Sequence, residues 1–210
     1  MQTSREDVAK LYGKIVEYED SRLATHPMER ELTLRAIREG LASSGTAETP
    51  RKRIADVGGG PGKLAFALAD EGHHVDLVDI TPELIHLAGA EQARRSSAGR
   101  EQALLASISV GDALNGTALP DGSYHAVLLL GPLYHLLEET ERKQTVENAL
   151  RLCRRGEGLV FCAFVSMEAH LRDIAQRDPE RLVEKNEFYT KYVCPWHHAS
   201  LDMLTPSLVL

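Results

Sequence analysis

One short stretch restricts this chain more than any other: Arg53-Ile54-Ala55-Asp56-Val57, followed at once by Gly58-Gly59-Gly60-Pro61-Gly62-Lys63. Three apolar residues, Ile54, Ala55 and Val57, in a run of five leading straight into a glycine cluster read as a short strand. The cluster is then a sharp turn, and Lys63 to Glu71, with Leu64, Phe66, Ala67 and Leu68 facing inward, is a helix closed by Gly72. A strand, a glycine turn and a helix in that order form the first half of a βαβ unit.

The pattern repeats down the chain. His74 to Ile80 reads as a second strand, and Thr81-Pro82 opens a helix to about Arg95, with Thr as cap and Pro at the first helical position. Leu104 to Val110 and Tyr124 to Leu130 are further strands. Glu138 to Arg154 is a helix, and Gly158 to Val165 a fifth strand. The central strands are apolar throughout, without alternation, so both faces of the sheet are covered. The expected class is α/β, a doubly wound, mostly parallel, Rossmann-like sheet. Before it, Val8 to Glu19 reads as a short helix carrying Tyr12 and Tyr18. A second helix starts at His26-Pro27 with Leu32, Leu34, Ile37 and Leu41 as its apolar set, and Ser43 to Pro50 is a polar linker.

Charge limits the partners. Lys and Arg number 24 against 31 Asp and Glu, a net charge of −7. That balance disfavours sequence-independent nucleic-acid binding, which needs cations to displace counterions. Arg94, Arg95 and Arg100 make a small basic spot that reads as solvated surface. The three cysteines, Cys153, Cys162 and Cys194, are too scattered for a disulfide framework and suit a reducing, cytoplasmic setting. Cys194-Pro195-Trp196-His197-His198 has one cysteine and does not make a zinc set, so no metal is expected. No apolar run approaches the ~18 residues of a membrane span, and the charged N-terminal segment has no apolar core typical of a secretion signal.

In an open α/β sheet, ligands bind beyond the carboxyl ends of the strands. At the first end, a phosphate loop of the G-x-x-x-x-G-K-[ST] type fails at Val57 and Leu64. A dinucleotide G-x-G-x-x-G is weakened by Lys63 at its third glycine. A G-x-G-x-G loop, Gly58, Gly60 and Gly62 after Asp56, fits throughout. Asp79 ends the second strand about 20 residues on, where a carboxylate accepts from both hydroxyls of a ribose. Gly111-Asp112-Ala113 ends the third, with Asp112 either a turn acid or an acceptor for an exocyclic amine. Leu130-Gly131-Pro132-Leu133-Tyr134-His135 leaves the fourth, and a histidine there is suited to take a proton near neutral pH.

Together, ADVGGGPG, VDLVDITPELI, VGDA and LLLGPLYHL resemble the class I S-adenosylmethionine-dependent methyltransferases, and among them small-molecule enzymes with a GPLYHL segment. The likeness covers roughly residues 8 to 190. It implies S-adenosyl-L-methionine as cofactor, with Asp56, Gly58, Gly60 and Gly62 around its methionine part and Leu130 nearby. Asp79 is implied at the ribose, Ile80, Asp112 and Ala113 at the adenine, and Tyr12 closing over the site. His135 and Tyr134 would face the methyl acceptor, His135 as base or as positioning group. The acceptor would be an O or N atom of a small molecule, in specialised metabolism. The implied organisation is a helical cap over residues 1–50, the cofactor-binding core over 51–166, and a helical segment with a divergent tail over 167–210.

Two departures stand out. In Met28-Glu29-Arg30-Glu31-Leu32-Thr33, Arg30 and Leu32 occupy places where relatives carry other combinations. After the fifth strand too little chain remains for the usual antiparallel pair and its helix. The fifth strand is then expected to be an exposed apolar edge, covered either by the tail, with a short strand over Ser207 to Leu210, or by a homodimer partner. Gly131-Pro132-Leu133-Tyr134 in place of an Asn-Pro-Pro-Tyr segment argues against methylation of flipped DNA bases. The other readings are an NAD-dependent oxidoreductase, and a cofactor-binding scaffold, regulatory subunit or cyclase.

Overall fold

The computed structural model describes residues 12–14, 16, 26–43 and 51–185. It divides into two compact units, Met1–Phe164 and Val165–Leu210. The expectations for Tyr18, the linker at 44–50, the Cys194 to His198 segment and a strand at Ser207 to Leu210 lie outside the described residues.

The first unit holds five parallel strands: β1 (Arg53–Val57), β2 (His74–Asp79), β3 (Ser107–Val110), β4 (Ala126–Leu129) and β5 (Leu159–Cys162). Their order is β3-β2-β1-β4-β5. Ile54 pairs with Val75 on one side and Ala126 on the other, so β1 is the central strand, flanked by β2 and β4. The chain steps outward from β1 through β2 to β3, then returns to start again at β4. The gap between the ends of β1 and β4 is therefore the topological switch point, where an open sheet leaves a crevice.

Apolar residues alternate between the two faces because successive side chains point oppositely. Ile54, Val75, Leu77 and Leu128 face α1 (Pro27–Ser43) and α2 (Lys63–Asp70), with Ala88 of α3 (Pro82–Ser97) in the same cluster. Ala55, Val57, Val127 and Leu129 face α4 (Glu139–Leu152) through Ala149 and Leu152. Helix α1 buries Leu34, Ile37 and Leu41. Leu32 was expected in that set but is 57% exposed, since the i, i+3, i+7 stripe excludes it. A Cβ on Gly40 would stand 2.7 Å from the Phe161 ring, so α1 lies close over one face of β5.

Three strands are shorter than the hydrophobic runs suggest, β4 among them, which spans Ala126–Leu129 within the expected Tyr124 to Leu130. Leu104 to Ala106 stays outside β3 because the Gln92 side chain satisfies both backbone groups of Leu105, each at 2.9 Å. Strand β5 stops at Cys162, and Phe164 and Val165 are largely exposed. Among the described residues β5 pairs only with β4, so it is an edge. The basic spot is also not all surface. Arg95 is 8% exposed, bonded to Asp70 and Glu91 and stacked 4.5 Å over the Phe66 ring.

The second unit contains α5 (Met167–Arg177), capped by the Ser166 hydroxyl accepting from the Ala169 N–H, and α6 (Pro179–Glu184). No helix among the described residues is long and apolar enough to cross a membrane.

Candidate active site

The switch point opens into a cavity whose walls include all four strand exits. At the β1 exit, the Gly58 and Gly59 N–H groups both donate to the Val78 carbonyl, at 2.7 and 3.3 Å. That bend brings the backbone against its surroundings. A Cβ on Gly58 would lie 2.5 Å from Pro132 Cγ, and φ there is +78°, a region L-residues rarely adopt. A Cβ on Gly59 would lie 2.5 Å from the Asp56 carboxyl carbon. The loop thus presents bare backbone to the cavity. Gly62 does not line it. It stands behind the wall as the N-cap of α2, with φ +77°, where a Cβ would meet Leu77.

Three carboxylates on β1 and β2 are buried, and they differ in company. Asp76 accepts from the Tyr124 hydroxyl at 2.8 Å, from Ser107 and from Arg53, and is a saturated structural group. Asp79 accepts from the Gly60 N–H and the Thr81 N–H, both at 2.8 Å. It ties the glycine loop to the start of α3, and burial still raises its pKa against those bonds. Asp56 keeps one oxygen, Oδ2, with no hydrogen-bond partner among the described residues. Its burial, and next the charge of Asp79, push its pKa up to about 7, with a bond from the Ala65 N–H offsetting in part. A carboxylate left short of a partner at a cavity wall is a demand for a donor or cation from outside the protein.

The β3 exit carries Asp112 and Ala113. Both oxygens of Asp112 are used by its own turn, from the Leu114 N–H at 2.9 Å and the Asn115 amide at 2.8 Å. Asp112, Ala113 and Ile80 all line the cavity.

The β4 exit turns through a single 3₁₀ turn, Pro132–Tyr134, closed by the His135 N–H to the Pro132 carbonyl at 3.1 Å. Leu133 is 1% exposed and anchors that turn in the core. Leu130, Tyr134 and His135 are thereby set along the wall facing the glycine loop. Tyr12, itself helical, reaches the same wall from the N-terminal segment, its hydroxyl 2.8 Å from His135 Nε2. The phenol donates when Nε2 carries the lone pair. The two rings meet edge to face at 5.3 Å, and Tyr134 lies 4.5 Å from the imidazole. Burial lowers the His135 pKa, with Asp79 opposing, so the imidazole is neutral at neutral pH.

Every predicted site residue except Gly62 therefore meets in one cavity. Sequence reasoning passed over Gly59, Thr81, Leu84, Pro132 and Leu136, which also line it. The unbroken Gly58-Gly59-Gly60 run was the available signal for Gly59. Nothing local marked Leu84 or Leu136, apolar residues indistinguishable from core.

Comparison with known proteins fits this geometry. Residues 54–156 match a family model described as a methyltransferase domain, which spans every cavity residue but Tyr12. An uncharacterised protein of Mycobacterium tuberculosis is 35% identical over 107 residues, covering 50% of this chain and 34% of that protein. The match thus spans only about a third of that curated relative's length. A SAM-dependent methyltransferase of Methanosarcina mazei superposes with a TM-score of 0.51 at 23% identity, over 64% of this chain and 62% of that one. A protein of Methanococcus maripaludis, put forward as an S-adenosyl-L-methionine-dependent methyltransferase, gives 0.52 at 16% identity over 94% and 83%. Both share the fold.

Proposed function

The chain carries a class I S-adenosylmethionine-dependent methyltransferase domain, and from that premise we propose that it methylates an oxygen or nitrogen atom of a small-molecule acceptor. The observation that carries this reading is the partnerless oxygen of buried Asp56, beside a glycine loop with no room for a Cβ and across the cavity from His135. A cofactor bearing an ammonium and a sulfonium answers the first feature, and a flat, close-packed approach answers the second.

The residues fit the group. Asp56 and the bare backbone of Gly58 and Gly60 would hold the methionine part, with Leu130 beside it. Asp79, already oriented by Gly60 and Thr81, would accept from the ribose hydroxyls. Ile80, Asp112 and Ala113 would border the adenine. S-adenosylmethionine supplies a methyl group already activated on sulfur, so the protein's work is alignment, water exclusion and proton management. Tyr12 closes the mouth, its hydroxyl resting on His135 until an acceptor displaces it. His135, neutral because it is buried, takes the acceptor's proton where the acceptor has one to lose. Tyr134 flanks it and shapes the acceptor side. The acidic chain favours a small acceptor over a nucleic acid.

Titration calorimetry with S-adenosylhomocysteine and with NAD tests the cofactor. Binding of the first and not the second is expected, and Asp79→Ala should weaken it. Preference for NAD would overturn the reading.

A further inference from the structure

Resting on that function, we propose that the methyl acceptor is a phenol, whose hydroxyl takes the place that the Tyr12 hydroxyl holds at His135 Nε2. The cavity already displays the interaction. Tyr12 is 123 residues away in sequence, yet its phenol lies 2.8 Å from Nε2 with its ring edge-on to the imidazole, the planes at 88°. Tyr134 supplies a second aromatic surface at 4.5 Å, tilted by 56°. Edge-to-face and tilted arrangements at these separations are the favourable ones for aromatic groups. The protein thus solvates its own phenol at the one nitrogen suited to deprotonate an acceptor.

The alternatives fit worse. His135 sits between Tyr12 and Tyr134, and of the two buried carboxylates of the cavity Asp79 reaches it through its charge while its own oxygens are engaged by the Gly60 and Thr81 N–H groups. A carboxylate acceptor has no proton to give Nε2 and would leave the one ring nitrogen facing the Tyr12 hydroxyl without a role. An ammonium acceptor would have to approach a sulfonium as a like charge. A phenol enters neutral, donates one hydrogen bond to Nε2 and packs its ring beside the Tyr12 and Tyr134 rings.

The step balances without any further reagent. The phenol O–H bond breaks and its proton passes to Nε2. The oxygen's electron pair forms the bond to the methyl carbon, and the carbon–sulfur bond breaks with its pair remaining on sulfur as a neutral thioether. The imidazolium then returns its proton to solvent. Tyr12 is in this account both a stand-in for the acceptor and its competitor, so its hydroxyl must leave Nε2 before turnover.

The test uses three probes sharing one ring: p-cresol, which is the free tyrosine side chain, benzylamine and benzoate. With the full chain saturated by S-adenosylhomocysteine, the imidazole nitrogen signals of His135, assigned by their loss in His135→Gln, are followed by NMR. We expect p-cresol to move them and the other two not to, and S-adenosylmethionine to convert p-cresol to its methyl ether. Tyr12→Phe, which keeps the ring and removes the competing hydroxyl, should lower the KM for p-cresol by about three- to tenfold. Silence of His135 toward p-cresol while S-adenosylhomocysteine binds overturns the phenol assignment alone, as does methylation of benzylamine or benzoate instead. A raised KM in Tyr12→Phe overturns the competition. Failure of S-adenosylhomocysteine to bind overturns the methyltransferase site itself and this inference with it.

Discussion

At the glycine loop, position is set by the backbone: a Cβ on Gly58 or Gly59 would approach neighbouring atoms to 2.5 Å, and Asp79 is held by two N–H groups of adjoining turns. Across the cavity, at the exit of β4, position is set by side chains: Leu133 anchors a short turn, and His135 is held by a phenol from a distant segment. The first wall is rigid because any change in it moves main chain. The second can rearrange by rotating Tyr12. A site that must grip one invariant cofactor and admit a particular acceptor gains from that division. The two walls touch where Gly58 meets Pro132, so the rigid one also limits the adaptable one.

That contrast can be broken at four places. The largest effect is expected at His135. His135→Gln should lower turnover about 10²-fold or more with S-adenosylhomocysteine affinity nearly unchanged, as separate kinetic and calorimetric measurements would show. Since burial holds its pKa below the ordinary histidine value, turnover should stay level at neutral pH and fall only on an acid limb below about pH 6.5. An equal loss of affinity would mean that the walls are not separable. Next comes Gly58→Ala, with its positive φ and its clash with Pro132. It should cut cofactor affinity by about 100-fold and cost about 1–3 kcal/mol of stability, the usual range for overpacking, read by calorimetry and urea melts. Tolerance of alanine there would show the loop to be soft.

Asp79→Ala should follow, reducing affinity by roughly 10- to 100-fold through lost charge-assisted hydrogen bonds of about 1.5–3 kcal/mol each. The smallest effect on binding is expected at Asp56, which separates from its neighbours through stability instead. Its native pKa of about 7 exceeds the unfolded value, so its contribution to stability is complete below the unfolded pKa and is lost as pH rises to and through 7. Asp56→Asn should therefore gain on the parent chain by roughly 3–4 kcal/mol between pH 4 and pH 8, at about 1.4 kcal/mol per pH unit, while binding the cofactor less well. Parallel urea melts at the two pH values would expose a flat difference, which would place the Asp56 charge in contact with water.

Much of the fold was legible. The strand, glycine turn and helix at Arg53 to Asp70 follow from local chemistry, and the apolar runs gave the parallel sheet. What was misread depended on partners outside the local pattern. Arg95 looked like surface, yet Asp70 and Glu91 neutralise it and Phe66 covers it. Leu104 to Ala106 looked like strand, yet Gln92 takes up the backbone of Leu105. Gly62 looked like a ligand-facing glycine because the motif does not distinguish a residue lining a cavity from one turning the chain behind it.

By itself, then, the sequence determined the order of the elements, the glycine loop and the acids at the strand ends. Periodicity and backbone sterics act over a few residues and leave a readable pattern. Only tertiary structure decided which acid was left needy. Asp76 and Asp56 are the same residue type on adjacent strands, but Tyr124, Ser107 and Arg53 saturate the first and no side chain reaches the free oxygen of the second. Tertiary structure alone also brought Tyr12 to His135, because a contact between side chains 123 residues apart leaves no periodicity in either segment.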